Sequence, residues 1–176
     1  MILKNGNLCI RDAKNEDCDQ LALWWNDGKV MAHAGFPNGL FTSAAKIREQ
    51  IADDSDDTRR RLIITLTDEP IGEMSYYVQE GNVAEIGIKI CNTEHQEHGL
   101  GRQALSMLIR ELFSRGFTKI ILDTNVKNER AQHVYELLGF HKVRVRENSW
   151  RNQLGELQSS IDYELLPEEF IDRTEH

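Results

Sequence analysis

The sequence predicts an α/β (α+β) domain in which a mixed sheet of about seven strands is flanked by about four helices. Short alternating apolar runs recur along the chain, and two long segments have the apolar spacing of helices. The 176 residues suffice for one domain with a buried core. We therefore expect a single domain over residues 1–176.

The N-terminal third predicts one strand and two helices. Residues 7–13 alternate as a strand does, and the helices are expected to end at Trp25 and at Ile51. Each helix follows residues that commonly cap helix N-termini, namely Asn15 or Asp17 for the first and Thr42 or Ser43 for the second.

The middle of the chain predicts a meander of three strands over 61–67, 72–79 and 83–90, separated by turn residues. Alternation on the last strand gives it two different faces. One face carries Ala84, Ile86, Ile88 and Ile90, and the other carries Glu85, Gly87 and Lys89.

The C-terminal half predicts two further helices. The first begins near Gly101 and ends near Gly116, and a right-handed crossover would make the buried strand 118–125 parallel to the strand 83–90. Asn128 fits the N-cap of the second helix, and Gly139 fits the position after its end. The strands 140–147 and 157–166 then form a hairpin across the loop 148–156, whose edge could pair two copies in a homodimer.

Composition excludes several classes of protein. The formal net charge of −8 argues against a nucleic-acid partner. No apolar leader and no 18-residue apolar segment is present, so we expect no membrane anchor. The three cysteines form no Cys-x-x-Cys pair, which favours a cytoplasmic protein and predicts no metal site.

Two glycines before a helix, Gly99 and Gly101, predict a loop that binds an anion through free backbone amides. The segment "GLGRQA" also matches the dinucleotide motif G-x-G-x-x-A, with Asp123 as a ribose-binding acid. Against this NAD-binding Rossmann interpretation, eight residues separate Ile90 from Gly99, and an antiparallel meander precedes the motif.

Two segments resemble the GNAT superfamily of acyl-CoA-dependent N-acetyltransferases. "QEHGLG" (96–101) resembles its Q/R-x-x-G-x-G/A signature. "NERAQHVYELLGF" (128–140) resembles its N-x-x-A-x-x-x-Y-x-x-x-G-F segment. The opening "LCIRDAKNEDCDQLALWWND" is similar to the branch of ribosomal-protein N-terminal, spermidine and aminoglycoside acetyltransferases.

The resemblance implies a splayed sheet that binds acetyl-CoA, with the diphosphate on the backbone amides from about Glu97 to Arg102 and the pantetheine arm between the strands 84–90 and 118–125. It implies these cofactor-binding residues: Ile88, Lys89, Ile90, Gln96, Glu97, His98, Gly99, Leu100, Gly101, Arg102, Asn125, Asn128 and Ala131.

The resemblance also implies acetyl transfer to a primary amine, which needs a base for the ammonium and an acid for the leaving thiolate. Tyr135 matches the position of the family's acid, although its helix face equally suits a core tyrosine. Glu85 is the candidate base, and its structural alternative is a cross-strand ion pair. Lys89, on the same face of the same strand, could also be its partner.

The amine acceptor remains open between a protein N-terminus, a polyamine, an aminoglycoside and another small amine. The resemblance implies acceptor contacts from Trp24, Trp25, Asn26 and Trp150. The structural alternative for Trp24 and Trp25 is that one packs in the core while the other covers it. A module that binds acyl-CoA without catalysis is the second functional hypothesis.

Overall fold

The computed structural model describes residues 1–175 as one eight-stranded sheet with helices on both faces. The strands are β1 (Ile2–Asn5), β2 (Leu8–Asp12), β3 (Arg59–Leu66), β4 (Glu69–Gln79), β5 (Val83–Ile90), β6 (Lys119–Asn125), β7 (His141–Arg151) and β8 (Leu157–Leu165). The helices are α1 (Cys18–Trp25), α2 (Gly28–Met31), α3 (Ala44–Ala52), α4 (Leu100–Ser114) and α5 (Glu129–Leu137).

The strand order in the sheet is β1-β2-β3-β4-β5-β6-β8-β7. Among residues 1–175 only β5 and β6 pair in parallel, joined through α4 as the crossover rule predicts. The predicted mixed α/β class is therefore confirmed. With one parallel pair, this sheet is not the parallel sheet that the dinucleotide-binding interpretation requires.

Two hydrophobic layers enclose the sheet. Leu105 and Leu108 of α4 and Leu138 after α5 pack on one face, against Ile86 and Ile120. On the other face, α1 and α3 pack against Ile63 of β3 and Cys91 after β5. The buried members of this second cluster are Cys18, Leu21, Trp24, Ile47, Ile51, Ile63 and Cys91. Alternate residues of each central strand therefore contact different helical layers.

The sheet opens between β5 and β6. Their pairing is limited to Val83–Glu85 on β5 and Lys119–Ile121 on β6, and beyond these residues the two strands separate. The predicted splay is thus confirmed, and it leaves Ile86–Ile90 paired with β4 on one side only.

The structure contains more elements than predicted. A strand precedes the first predicted one, because Gly6, with φ of +58°, turns β1 back onto β2. The four-residue helix α2 is the second addition. β7 extends to Arg151 rather than to residue 147, with an irregular register between Arg146 and Trp150.

Most predicted helix ends are confirmed. Ser43 caps α3 by accepting from the Lys46 amide, and Asn128 caps α5 by accepting from the Ala131 amide. Asp17 precedes α1 but its carboxylate binds Arg11 and the Lys14 amide instead, so the capping prediction for this helix is wrong. None of the helices in residues 1–175 has the length and apolar character needed to span a bilayer.

Candidate active site

The loop before α4 presents a row of backbone amides with no partner. Within residues 1–175 the first amide after this loop to form a hydrogen bond is that of Gln103, which donates to the Gly99 carbonyl at 3.1 Å. Gly99 has a φ of +77° and Glu97 a φ of +66°, an uncommon conformation for a residue with a side chain. The amides of Glu97–Arg102 therefore form a concave donor surface at the positive end of a 15-residue helix.

Side chains hold this loop against the sheet and against α5. Gln96 donates to the Ile90 carbonyl at 2.9 Å, which fixes the loop to the end of β5. Arg130 of α5 forms an ion pair with Glu97 at 2.8 Å. His98 is exposed at the loop surface. Residues predicted to bind cofactor thus meet around one concave surface.

Arg102 is the most informative side chain of the loop. Its Nε is buried and makes no hydrogen bond within residues 1–175. A buried guanidinium nitrogen without an acceptor is costly, so an acceptor from outside the protein fits this position. The free amides, the left-handed turn and this nitrogen together fit the diphosphate of coenzyme A.

Tyr135 lies in α5 beside the opening of the sheet. Its ring is buried and packs edge-on against Phe140 and Tyr163, with centroids 5.8 and 5.6 Å away. Within residues 1–175 its hydroxyl forms no hydrogen bond and is not fully enclosed. Burial, assisted by the charge of Asp123, raises the pKa of Tyr135 well above its ordinary value, so the phenol stays protonated at neutral pH.

The two asparagines predicted to contact pantetheine already form hydrogen bonds within the protein. Asn125 is buried, donates to Gln158 at 3.0 Å and accepts from the Lys127 amide, so internal hydrogen bonds occupy its side chain. Asn128 and Ala131 are engaged with each other through the α5 cap. These bonds account for both asparagines structurally, and ligand contact there stays a prediction.

On the opposite face of the sheet, a cavity of ≈ 310 Å³ adjoins the open part of β5. Its wall includes three β5 residues, Gly87, Ile88 and Lys89, and side chains of α1, β3 and β4. We call it the acceptor cavity. A second cavity of ≈ 240 Å³ shares Trp25, Leu40 and Gln50 with it and extends along α3.

Glu73 of β4 is the carboxylate of the acceptor cavity, and the sequence analysis did not identify it. Both of its oxygens accept from the Trp25 indole nitrogen, at 2.9 and 2.8 Å, and Lys89 lies 3.3 Å away. The available signal was period-two alternation, because Glu73 shares a strand face with Ser75 and Tyr77 of the same cavity.

Glu85, the predicted base, lies outside the cavity wall. It is the last residue of β5 that pairs with β6, and its carboxylate accepts a hydrogen bond from the Gln79 side chain at 2.8 Å. The anticipated partner is also different, because Lys89 pairs with Glu73 and not with Glu85. A direct role for Glu85 therefore lacks support from its position.

Of the four residues predicted to contact the acceptor, only Trp25 lines a cavity wall. Trp24 packs in the core and lines neither cavity, which corrects its assignment as an acceptor contact. Trp25 lines both cavities and packs against the second cluster, so its acceptor contact stays a prediction beside the alternative in which it covers the core. Asn26 exchanges two hydrogen bonds with the Thr42 backbone and thereby shapes the loop above the cavity.

Trp150 acts on the same loop from the terminal hairpin. Its indole donates to Ser160 at 2.9 Å, and a Cβ on Gly35 would lie 2.4 Å from its ring. Gln153 extends this contact, because its side chain donates to the Gly39 carbonyl and accepts from the Asn38 amide. Trp150 therefore buttresses residues 35–39 and lines neither cavity.

Metal chemistry has no candidate centre in the described part of the chain. Across residues 1–175, no three His, Cys, Asp or Glu side chains are grouped as metal ligands. The residues described above supply the amides of Glu97–Arg102, the phenol of Tyr135 and the carboxylate of Glu73. The cationic side chains are those of Arg61, Lys89 and Arg102.

Comparison with known proteins agrees with this geometry. Residues 7–141 match the family model described as the acetyltransferase (GNAT) domain. A ribosomal protein bS18-alanine N-acetyltransferase from Salmonella typhimurium is 37% identical over 62 residues, which are 35% of this chain and 42% of the relative. The aligned part of the chain thus spans less than half the length of that relative.

Solved structures match nearly the whole chain. The spermidine N-acetyltransferase from Vibrio cholerae in complex with CoA and spermine superposes with a TM-score of 0.83, at 22% identity, over 94% of this chain and 98% of that one. A ribosomal L7/L12 α-N-protein acetyltransferase in complex with coenzyme A has a TM-score of 0.84 at 17% identity, with the same coverage of both chains. At these identities the likeness establishes the fold.

Proposed function

Because the chain belongs to the GNAT acetyltransferase family, we propose that it transfers the acetyl group of acetyl-CoA to a primary amine. The observation that carries this proposal is the separation of β5 from β6 directly behind a loop of unpartnered amides. We also propose that residues 1–176 are one catalytic domain and that it acts in the cytoplasm. The three free cysteines support a reducing compartment.

Each element at the opening has a role in this proposal. The amides of Glu97–Arg102 bind the diphosphate, and Ile86–Ile90 offer an unpaired strand edge along which the pantetheine arm lies. The thioester then reaches the β5 residues that also wall the acceptor cavity. Donor and acceptor meet from opposite faces of the sheet.

The reaction forms a C–N bond and breaks a C–S bond. An alkylammonium has an ordinary pKa of about 10.4 and must lose a proton before attack. Glu73 is the carboxylate placed to receive that proton, directly or through a water. A backbone amide near Ile90 stabilises the oxyanion, and Tyr135 donates its proton to the departing thiolate.

Two measurements test the proposal. Acetyl-CoA raises the melting temperature of the purified protein, whereas NAD does not, because only a ligand that binds the folded state stabilises it. Release of free thiol over a panel of amines then reports turnover. Stabilisation by NAD alone contradicts the assignment.

Acyl-CoA binding without catalysis is the second hypothesis. It predicts stabilisation by acetyl-CoA and no thiol release with any amine. Tyr135 favours the enzyme, since a phenol that stays protonated serves acid catalysis and is dispensable for binding.

The terminal hairpin supports a homodimer as a further proposal. β7 is an edge strand, and its residues Val143 and Val145 are 49% and 52% exposed. Sedimentation gives the mass in solution, and a monomer at micromolar concentration contradicts this proposal.

A further inference from the structure

The charges around the acceptor cavity are unusual for a protein with a formal net charge of −8. Three charged side chains line the acceptor cavity, namely Arg61, Glu73 and Lys89. The adjoining cavity adds Lys46 and no carboxylate. The amine of the substrate must therefore enter a site with more positive than negative groups.

The single carboxylate of the cavity already has one cationic partner. Glu73 has a side chain only 14% exposed and forms its ion pair with Lys89 across neighbouring strands. Its charge does not compensate Arg61, which forms no ion pair within residues 1–175. The cavity therefore contains an uncompensated guanidinium.

Arg61 differs in this respect from most arginines of the chain. Among residues 1–175 four arginines are without an ion pair, namely Arg61, Arg102, Arg151 and Arg173. Arg151 and Arg173 bind backbone carbonyls, and Arg102 belongs to the diphosphate loop. Arg61 reaches only the Gln50 side-chain oxygen, at 3.5 Å, and lies over the Trp25 ring at 6.0 Å.

This arrangement presents a guanidinium to the cavity. The guanidinium carbon lies over the Trp25 ring, and apart from the contact with Gln50 its N–H donors have no acceptor within residues 1–175. A half-buried guanidinium binds a carboxylate strongly and with a defined geometry. The natural ligand of Arg61 is therefore an anionic group.

The same charges disfavour a polyamine. A second ammonium of such a substrate would lie near Arg61 and Lys46, with no free carboxylate to receive it. The acidic loop nearby does not change this, because none of its four aspartates lines either cavity. Asp54 pairs with Arg59 and Asp56 with Arg60, and Asp53 and Asp57 are exposed to solvent.

We propose that the acceptor is a primary amine that carries a carboxylate a few bonds away, with Arg61 binding the carboxylate and Glu73 receiving the ammonium. The inference rests on the proposed acetyl transfer. Arg61 pairs with Ser75 and Ser75 with Gly87, so Arg61 is two strands, roughly 10 Å between Cα atoms, from the expected thioester. A free amino acid and a peptide with an acidic residue at its first or second position both have this chemistry.

Matched acceptors test the preference. We expect kcat/KM for glutamate to exceed that for its diamide, and that for a C-terminally amidated Ser-Glu peptide to exceed that for Ser-Gln, each by about tenfold or more. A preference confined to the amino acid identifies a metabolite, and one confined to the peptide identifies a protein N-terminus. Equal rates with amide and carboxylate, or a higher kcat/KM for spermidine, overturn the inference and leave acetyl transfer intact.

Arg61→Gln tests the residue. We expect it to raise KM for carboxylate acceptors about tenfold or more, to leave kcat within about threefold, and to abolish discrimination against the amides. Arg61→Lys should restore part of the preference. Arg48→Gln, on the exposed surface of α3, is the matched control and should change neither parameter.

Binding measurements separate the two proposals. Thermal stabilisation by acetyl-CoA should be the same for wild type and Arg61→Gln, and its absence in wild type contradicts the proposed function itself. Calorimetry of each acceptor with CoA-saturated protein needs no turnover. Equal affinity of the wild type for Ser-Glu and Ser-Gln, and for glutamate and its diamide, would overturn the role of Arg61.

Discussion

At the scale of single residues, two glutamates on the same face of the sheet differ in what surrounds them. Glu73 lines the acceptor cavity, accepts from Trp25 and pairs with Lys89. Glu85 accepts a hydrogen bond from the exposed side chain of Gln79, at the end of β4. Strand periodicity places both on one face, and only the positions of β3, α1 and α3 decide which of them a substrate meets.

Substitution of each glutamate by glutamine separates their roles. We expect Glu73→Gln to lower kcat by about a hundredfold or more, because general-base catalysis contributes at least that factor. Glutamine preserves the acceptor for the Trp25 indole, so the fold should persist. Glu85→Gln is the control and should stay within about threefold of wild type in steady-state assays, and a larger loss for Glu85→Gln than for Glu73→Gln would return the base role to Glu85.

The phenol of Tyr135 gives a second prediction at this scale. Tyr135→Phe should lower kcat and leave acetyl-CoA affinity nearly unchanged, because the ring packs in the core and the substitution removes only the hydroxyl that we propose as the acid. Tyr76→Phe removes a buried hydroxyl that contacts Asp56 and has no part in the proposed chemistry, and should leave kcat unchanged. An unaltered kcat for Tyr135→Phe, measured where chemistry limits turnover, would remove its acid role.

At the scale of elements, the features that depend on neighbouring residues in the sequence could be predicted. The caps at Ser43 and Asn128, the glycines after α4 and α5 and the two-faced β5 follow from chemistry within a few residues. The insertion of β8 between β6 and β7 depends on contacts distant in sequence and was not predicted. Glu73 and Arg61 were missed for the same reason, because their significance arises from neighbours on other strands.

The glycines that follow α4 and α5 allow a matched test of backbone and contact effects. Gly116 and Gly139 have φ of +93° and +99°, and a Cβ on Gly116 meets nothing within 4 Å. A Cβ on Gly139 would lie 2.1 Å from the Glu169 carbonyl oxygen. We expect Gly116→Ala to cost about 1–2 kcal/mol of unfolding free energy from left-handed strain alone, and Gly139→Ala to cost more.

Urea denaturation of the two alanine variants measures this difference. The excess loss in Gly139→Ala reports the contact that anchors the C-terminal segment against α5. Equal losses of unfolding free energy in the two variants would show that the segment around Glu169 moves to accommodate the added Cβ without loss of stability.

At the scale of the whole molecule, ion pairs connect strands that are far apart in sequence. Asp162 of β8 accepts from Arg144 and Arg146 of β7, and Arg146 also reaches Asp123 of β6. This network connects β6, β8 and β7, the three strands on the C-terminal side of the opening. The loop 35–39 is in turn held by the hairpin through Gln153, which donates to the Gly39 carbonyl. The site therefore depends on the C-terminal strands although no residue of β7 or β8 lines the cavities.

The Asp162 network gives the chain a defined response to acid. Burial opposes ionisation of Asp162, but hydrogen bonds from Arg144 and Arg146 outweigh it and lower the pKa of the carboxyl below its ordinary 3.8. Because the folded state holds this proton less tightly than the unfolded state, the ion pair stabilises the fold above pH 3.8. That stability is lost as the pH falls through the lowered pKa.

Asp162→Asn should therefore lower the unfolding free energy at pH 7 by about 1–3 kcal/mol. The difference from wild type should shrink below pH 3.8, as the wild-type carboxyl also becomes protonated. Asp57→Asn removes an exposed carboxyl with no ion pair in residues 1–175 and serves as the control. Denaturation curves at a series of pH values measure the effect. A loss for Asp162→Asn that is independent of pH would mean that packing, and not charge, stabilises this part of the sheet, since only the charged contribution can titrate.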